Sequence, residues 1–210
     1  MRRRNFVINR GACAAALVTV GAVGTACSPP SSPALDATRR DAVVAVDGAP
    51  GDAAVDAPTG AYRLTSSAWI EGGAIPVKHS CRGANVSPPL AWTPMAGQGY
   101  ALVITDNNNA LVHCVLWDIP AATQVLPENI AKVAEPPTPA GAKQALAYDN
   151  QTRGYLGPCP PNQHTYEFAL YAVSALPLPG LTLQSNRAAV VAAVMANQTA
   201  VATLTGTFTP

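Results

Sequence analysis

An all-β sandwich with one short helix near its C-terminus is the fold class this sequence predicts for residues 61–210. Three observations predict it. Fifteen of the chain's 20 prolines fall in this segment, and a residue that lacks an N–H and fixes φ excludes long helices over most of it. The apolar residues come in short runs, or alternate with period two, between Gly-, Pro- and Asn-rich turns. No alternation of strand-like and helix-like segments supports a doubly wound sheet.

Taken in order, residues 62–65, 75–77, 90–92 and 145–148 suit weak strands. Residues 100–104 are a continuous apolar run suited to a buried strand, and Asp106-Asn107-Asn108-Asn109 is the polar turn after it. Residues 111–117 make the next strand. Period two places Leu111, His113, Val115 and Trp117 on one face and Val112, Cys114 and Leu116 on the other. In a third strong strand, residues 166–173, Tyr166, Phe168, Leu170 and Ala172 share a face. The helix falls at residues 186–197. Asn186 can cap its free amides, the Ala-rich stretch 187–195 has helix propensity, and Asn197 can close the end in a left-handed conformation. A strand at 201–208 completes the domain.

The net charge of +1 hides three parts. Residues 1–27 carry four Arg and no acid, residues 28–60 carry two Arg against five Asp, and residues 61–210 carry seven charges of each sign. Arg2, Arg3, Arg4 and Arg10 precede a charge-free run of 16 residues, 11–26, ending in Gly24-Thr25-Ala26-Cys27. That is the pattern of an export signal over residues 1–26, and it is shorter than the roughly 20 residues that span a bilayer. Arg3-Arg4-Asn5-Phe6-Val7 resembles a twin-arginine signal, and the small residues before Cys27 resemble a bacterial lipoprotein processing site, with Gly24 where a branched apolar residue is usual. The expectation is an exported envelope protein held at the membrane by acyl chains on Cys27; plain cleavage after Ala26 is the alternative. Residues 28–60 contain no aromatic, and 26 of the 33 are Ala, Asp, Gly, Pro, Ser or Thr. With too little apolar surface to offset ordering entropy, residues 27–60 read as a flexible tether. Without its signal the chain is mildly acidic, which gives no electrostatic support for nucleic-acid binding.

Three constellations sit in the turns. One is Lys78-His79-Ser80-Cys81-Arg82-Gly83-Ala84-Asn85-Val86-Ser87-Pro88-Pro89-Leu90-Ala91-Trp92. The second runs from Thr105-Asp106 to His113, and the third is Gly154-Tyr155-Leu156-Gly157-Pro158-Cys159-Pro160-Pro161-Asn162-Gln163-His164-Thr165-Tyr166. In this order and spacing the strings resemble the phosphatidylethanolamine-binding protein family, in its bacterial Raf kinase inhibitor-like branch. The resemblance also uses Trp117-Asp118-Ile119-Pro120 and covers nearly all of residues 62–210. It implies a Greek-key β-sandwich with a small anion pocket at one end.

Carried over residue by residue, Asp106 matches the first acid of the family's Asp-Pro-Asp-x-Pro loop, His113 its strand histidine, and Pro160, His164 and Tyr166 its last pocket motif. Departures are visible. The loop Asp106-Asn107-Asn108-Asn109-Ala110 lacks both prolines and the second acid, Cys114 replaces an aromatic residue, and Thr165 stands where a basic residue is frequent. A more open and less acidic rim is expected.

Imidazoles and backbone amides of Gly-rich turns are suitable donors to an anion. His113 and His164 are therefore read as donors to phosphate-like oxygens, with Asp106 orienting an imidazole or accepting from a ligand amine. Tyr166 can donate from the rim, and Arg82 is a candidate electrostatic neighbour. The plainer readings are that Asp106 caps its turn, that His113, Pro160 and Tyr166 serve the scaffold, and that His79 lies at the surface or behind the site. The expected ligand is phosphate or a phospholipid head group, with no cofactor and no metal, and the domain is read as non-enzymatic. The family-like fold brings Cys81 and Cys159 toward the pocket end, which favours a disulfide between them. Two other classes remain: an envelope protein-interaction or inhibitor domain, and a hydrolase using Cys159 or Ser80 with His164 or His113 and Asp106. Ligand count alone also permits zinc at His79, His113, His164 and a cysteine, although no pair has compact metal-ligand spacing.

Overall fold

The computed structural model describes residues 62–210, so the export signal, Cys27 and the tether lie outside the described residues. Three short strands, β1 (Leu64–Thr65), β2 (Leu90–Trp92) and β5 (Val125–Leu126), form an antiparallel sheet in the order β1-β2-β5. Five more, β3 (Gly99–Asp106), β4 (Val112–Pro120), β6 (Lys143–Gln144), β7 (His164–Val173) and β8 (Gln198–Phe208), form a second in the order β6-β4-β3-β7-β8. The one α-helix among the described residues is α1 (Arg187–Asn197). No described helix is long and apolar enough to cross a membrane.

The larger sheet is covered on both faces. Between the sheets, Leu64, Leu90, Trp92 and Leu126 meet Tyr100, Leu102, Ile104, Cys114, Leu116, Tyr166, Phe168, Leu170 and Leu204. On the other face, Ala101, Val103, Val115, Trp117 and Val173 pack with Leu178 and with Val190 and Val194 of α1. This is why residues 100–104 carry no polar alternation: a strand sandwiched on both sides needs apolar residues at every position. The face shared by Tyr166, Phe168, Leu170 and Ala172 lies in the inner layer, as period two requires.

Helix α1 begins as its sequence asks, with the Asn186 side chain accepting from Ala189 N at 2.9 Å. Its end differs. Asn197 is the last helical residue, its Nδ2 donates to Ala193 O, and Gln198 at φ −66° leads directly into β8. Because Gln198 already pairs with Val173, the chain has no room for a left-handed reversal. Two expected strands also resolve otherwise. Residues 75–77 form no strand, and the one bridge, Ala74 to Thr207, falls just before them, since Pro76 has no N–H to donate and Val77–His79 coils into a 3₁₀ turn. Residues 145–148 hold a single bridge, Leu146 to Arg153, and the pairing with β4 falls one step earlier, at β6. The two-residue β5 has no counterpart among the expected strands, being too short to show a period.

The correction that bears on function is in β4. Its pairing with β3 jumps from Ile104↔Cys114 to Thr105↔Val112, leaving His113 as an extra residue, a β-bulge. A second shift sits near Asp118, at φ 57°. A bulge interrupts alternation and re-aims side chains. Val112 accordingly packs with Val115 and Trp117 on the helix side, whereas Cys114 lies in the inner layer and the His113 ring stands edge-on to Tyr166 at 5.2 Å. The strict alternation expected for residues 111–117 would have set His113 beside Val115.

Candidate functional site

The site forms where the inner layer runs out of apolar side chains. Along β3 the row Tyr100, Leu102, Ile104 continues to Asp106, and along β7 the row Leu170, Phe168 continues to Tyr166 and His164. Antiparallel register sets Asp106 opposite Tyr166. The bulge in β4 adds His113 from the neighbouring strand. A small cavity of about 80 Å³ is lined there by Asp106, His113, Pro160, His164 and Tyr166, together with Asn109, Leu111, Tyr148, Cys159 and Pro161. All five residues assigned to the pocket from sequence are thus brought to one cavity. A site needs only about 10–15 Å³ of such space to hold a water, so it has room for a small tetrahedral anion.

Each imidazole is oriented by its Nδ1. His113 Nδ1 lies 2.7 Å from Leu156 O, and because a carbonyl can only accept, Nδ1 carries the proton. His164 Nδ1 donates to Asp106 Oδ2 at 2.6 Å. In both rings Nε2 is the nitrogen left for a ligand. Burial holds the His113 pKa below its ordinary value, opposed by the bond to Leu156 and by the charge of Asp106. At neutral pH its Nε2 therefore presents a lone pair, and it becomes a donor only on protonation. A neutral ring of this kind can accept from a protonated group, and it can donate from Nε2 only once protonated.

Asp106 combines the two roles weighed for it. Oδ2 holds His164, while Oδ1 accepts from Asn108 N at 2.9 Å and caps the turn. That turn is fastened to β7 by Asn107 N to Thr165 O and by Thr165 N to Asn108 Oδ1, so the Asn-rich loop keeps its shape without prolines. Tyr166 is 1% exposed, and its hydroxyl has no hydrogen-bond partner among the described residues. Burial, and then the Asp106 carboxylate, through its charge and as an acceptor within reach of the hydroxyl, push its pKa up, so it stays protonated.

The third wall comes from residues 154–163, which are zipped to residues 78–89. Cys81 and Cys159 form a disulfide with Cα atoms 5.4 Å apart. Cys81 N donates to Pro158 O, Gly157 N to Asn85 Oδ1, and Tyr155 Oη to His79 O at 2.7 Å. Gly157 is required, because a Cβ there would stand 2.2 Å from His79 O. The polar residues of the first constellation serve this scaffold. Ser80 Oγ donates to Val77 O, Ser87 Oγ accepts from Ile130 N, and His79, 2% exposed and not at the surface, pairs its Nδ1 with Val86 O. Exposed Arg82 does not line the cavity.

The hydrolase alternative fails on these contacts. Cys159 is bound in the disulfide, and Ser80 is fully buried with its hydroxyl engaged. The remaining thiol among the described residues, Cys114, is buried with its pKa pushed up to about 12, the wrong direction for a nucleophile. His79 lies outside the cavity lining, and among the described residues no three His, Cys, Asp or Glu side chains are grouped to hold a metal.

Sequence reasoning missed Tyr148, whose ring stands edge-on to His113 at 4.7 Å. Its pKa is raised by burial, then by Asp149 and Asp106. Nothing in its local sequence marks it, since it reaches the cavity from the segment after β6. Leu111, 39% exposed, is the other unforeseen wall of consequence.

The chain is similar to several known proteins. The LppC protein of Mycobacterium tuberculosis, named as a candidate lipoprotein, is 34% identical over 166 residues, 75% of this chain and 77% of that one. A UPF0098 protein of Methanothermobacter thermautotrophicus is 36% identical over 119 residues, covering 54% of this chain and 77% of that one. Among solved structures, Escherichia coli YbcL, described as a new member of the mammalian PEBP family, superposes with a TM-score of 0.64 at 26% identity. The match covers 71% of this chain and 98% of YbcL. CT736 of Chlamydia trachomatis does so with a TM-score of 0.60 at 25% identity, over 71% and 98% of the two chains. The family profile described as phosphatidylethanolamine-binding protein matches residues 65–209. With that match spanning the whole sandwich and its polar end, the chain belongs to the phosphatidylethanolamine-binding protein family.

Proposed function

We propose that this non-enzymatic domain binds a small anion, phosphate or the head group of a phospholipid, in the cavity between Asp106, His113 and His164, and that Cys27 anchors it by acyl chains in a bacterial envelope. One observation carries the binding reading. Two imidazoles from different strands meet at one cavity with each Nδ1 already bonded to the protein, so that both Nε2 atoms remain for a ligand. The unpaired Tyr166 hydroxyl adds a donor. Pro160 shapes the wall, and Asp106 is tied to His164, which limits its repulsion of an anion.

A phosphate monoester brings its own proton to a neutral Nε2, or binds with uptake of one by the ring. The pocket takes a phosphate monoester by either route, and a diester head group only with proton uptake by a ring. LppC, by its name, and the small residues before Cys27 support the anchor. Mass spectrometry of the mature N-terminus tests it: an unmodified Cys27 overturns the anchoring alone.

For the pocket, the test is calorimetric titration with phosphate and with phosphoethanolamine. Saturable binding by the native chain, weakened at least about tenfold in His113→Ala and in His164→Ala, is expected, since a hydrogen bond to a charged group contributes about 1.5–3 kcal/mol. Equal affinity in all three proteins, or no binding to the native chain, overturns the reading.

A further inference from the structure

The disulfide that closes the third wall lies at the surface, and one of its halves belongs to the cavity. Cys81 and Cys159 are both exposed, and Cys159 also lines the histidine pocket. Structural disulfides of exported proteins resist cellular thiols, whereas exposed ones are the labile and regulatory ones. The sequence favours exchange here as well. Cys81 is followed by Arg82, itself exposed, and a neighbouring cation stabilises a thiolate.

The hydrogen bonds on either side define what this bond holds. Before it, the wall is tied at every residue: Tyr155 Oη donates to His79 O, Leu156 N to His113 O, His113 Nδ1 to Leu156 O, Gly157 N to Asn85 Oδ1, and Cys81 N to Pro158 O. After it, β7 begins at His164, whose ring is fixed by Asp106. Between these anchors, residues 159–163 make no hydrogen bond among the described residues. Two of the five, Pro160 and Pro161, have no N–H with which to make one, and both line the cavity. That stretch of wall is held by its ends, by the packing of buried Pro160, and by the covalent bond at Cys159.

Resting on the anion reading above, we propose that the Cys81–Cys159 bond is a thiol-exchangeable latch: closed, it holds the Pro160–Pro161 wall against the cavity, and opened by a thiol it frees that wall and weakens anion binding. A thiolate attacks Cys159 Sγ and forms a mixed disulfide there, while the bond to Cys81 Sγ breaks and its electron pair stays on Cys81 as a thiolate, next to Arg82 in the chain. A second thiolate then attacks the reagent's sulfur in the mixed disulfide. Cys159 leaves as a thiolate and the reagent departs as its own disulfide, so the protein gains two electrons and the two reagent thiols lose them. Cys114, buried and outside the disulfide, is shielded from the same reagent. The bonds of residues 155–158 do not depend on the sulfur bridge, so His113 keeps its Leu156 partner and the change is confined to residues 159–163.

The test uses the mature exported chain in its oxidised form, treated without denaturant with reduced glutathione or with dithiothreitol. Peptide mapping after an acid quench is expected to find the bridge exchanged in the folded chain, with the glutathione adduct on Cys159. Backbone order parameters from NMR are expected to fall at Cys159, Asn162 and Gln163 and to hold at Leu156 and Gly157. Phosphate affinity, measured by calorimetry, is expected to weaken about tenfold, as for a wall in place about a tenth of the time, and to return on reoxidation. A bridge that stays closed in the folded chain, under conditions that exchange a short peptide disulfide, overturns the inference. Exchange that leaves either the wall order or the phosphate affinity unchanged overturns it also, with the anion reading intact because phosphate still binds. Failure of phosphate to bind even the oxidised chain overturns the anion reading instead. Loss of order at residues 159–163 on exchange then still supports the latch, and unchanged order overturns it.

Discussion

Two tyrosines at opposite ends of the inner layer show what separates scaffold from site. Tyr100 in β3 and Tyr166 in β7 are 2% and 1% exposed and face the same apolar layer. The hydroxyl of Tyr100 is bonded twice to the backbone of Met95, accepting from its N at 3.2 Å and donating to its O at 3.3 Å. The hydroxyl of Tyr166 meets no partner in hydrogen-bond geometry among the described residues, and beside it stand two imidazoles and the Asp106 carboxylate around one cavity. An unpaired donor is not by itself a site: Trp92 Nε1 also lacks a partner, and its ring packs edge-on against Tyr100. What marks the Tyr166 end is that several polar groups converge with unused capacity, which a core that only had to fold would have closed or replaced with apolar atoms.

The largest break in this comparison is expected at the disulfide, because the pocket end depends on a loop strap that the Tyr100 end lacks. Cys81 and Cys159 are 78 residues apart, and removing such a cross-link costs about 2–5 kcal/mol. The double substitution Cys81→Ser, Cys159→Ser should lower the denaturant midpoint accordingly. Amide exchange should accelerate first in residues 154–164 and leave residues 95–103 protected; uniform acceleration along the chain would show that the strap does not hold the pocket wall in particular.

The same chemical change at the two tyrosines should then act on different properties. Tyr100→Phe leaves the Met95 amide and carbonyl without their partner, and is expected to cost about 1 kcal/mol of stability with phosphate affinity unchanged. Tyr166→Phe deletes an unpaired buried hydroxyl, and is expected to leave stability within about 0.5 kcal/mol, or slightly raised, while weakening phosphate binding several-fold. A loss of stability at Tyr166 equal to that at Tyr100, with no change in affinity, would make both residues scaffold. Denaturant titration and calorimetry on the two variants decide it.

The smallest effect is in pH. His113 faces Asp106, His164, Tyr148 and Tyr166, and burial depresses its pKa in the folded chain. The unfolded chain therefore takes up a proton first as pH falls. This histidine's contribution to stability is complete above its unfolded pKa of about 6.5 and is lost progressively as pH drops from there through the folded value. Anion binding opposes that loss, since it favours the charged ring. Sulfate, whose charge is constant in this range, should bind more tightly at about pH 5.5 than at about pH 7.5. The His113 ring signal in NMR should titrate below about 6.5 alone and shift upward with sulfate. A midpoint unmoved by the anion would separate His113 from the ligand.

Much of this was legible in the chain itself, because it depends on neighbours in sequence. Asn186 before an Ala-rich stretch is a helix start wherever it stands, and the alternation of Tyr166, Phe168, Leu170 and Ala172 defines a buried face before any partner is known. Aspartate after an apolar run, and histidines in Gly- and Pro-rich surroundings, pointed to the polar end through their resemblance to a known family. Tertiary structure alone decided which way His113 looks. Period two sets it beside Val115; the register between β3 and β4, which no local pattern encodes, inserts it as a bulge and turns it toward Tyr166. Tyr148 and Leu111 join the cavity for the same reason, and His79 becomes buried scaffold because two distant loops close over it. Side-chain periodicity is a property of one strand, whereas pairing register, loop closure and the cavities they leave are set by contacts between residues far apart in the chain.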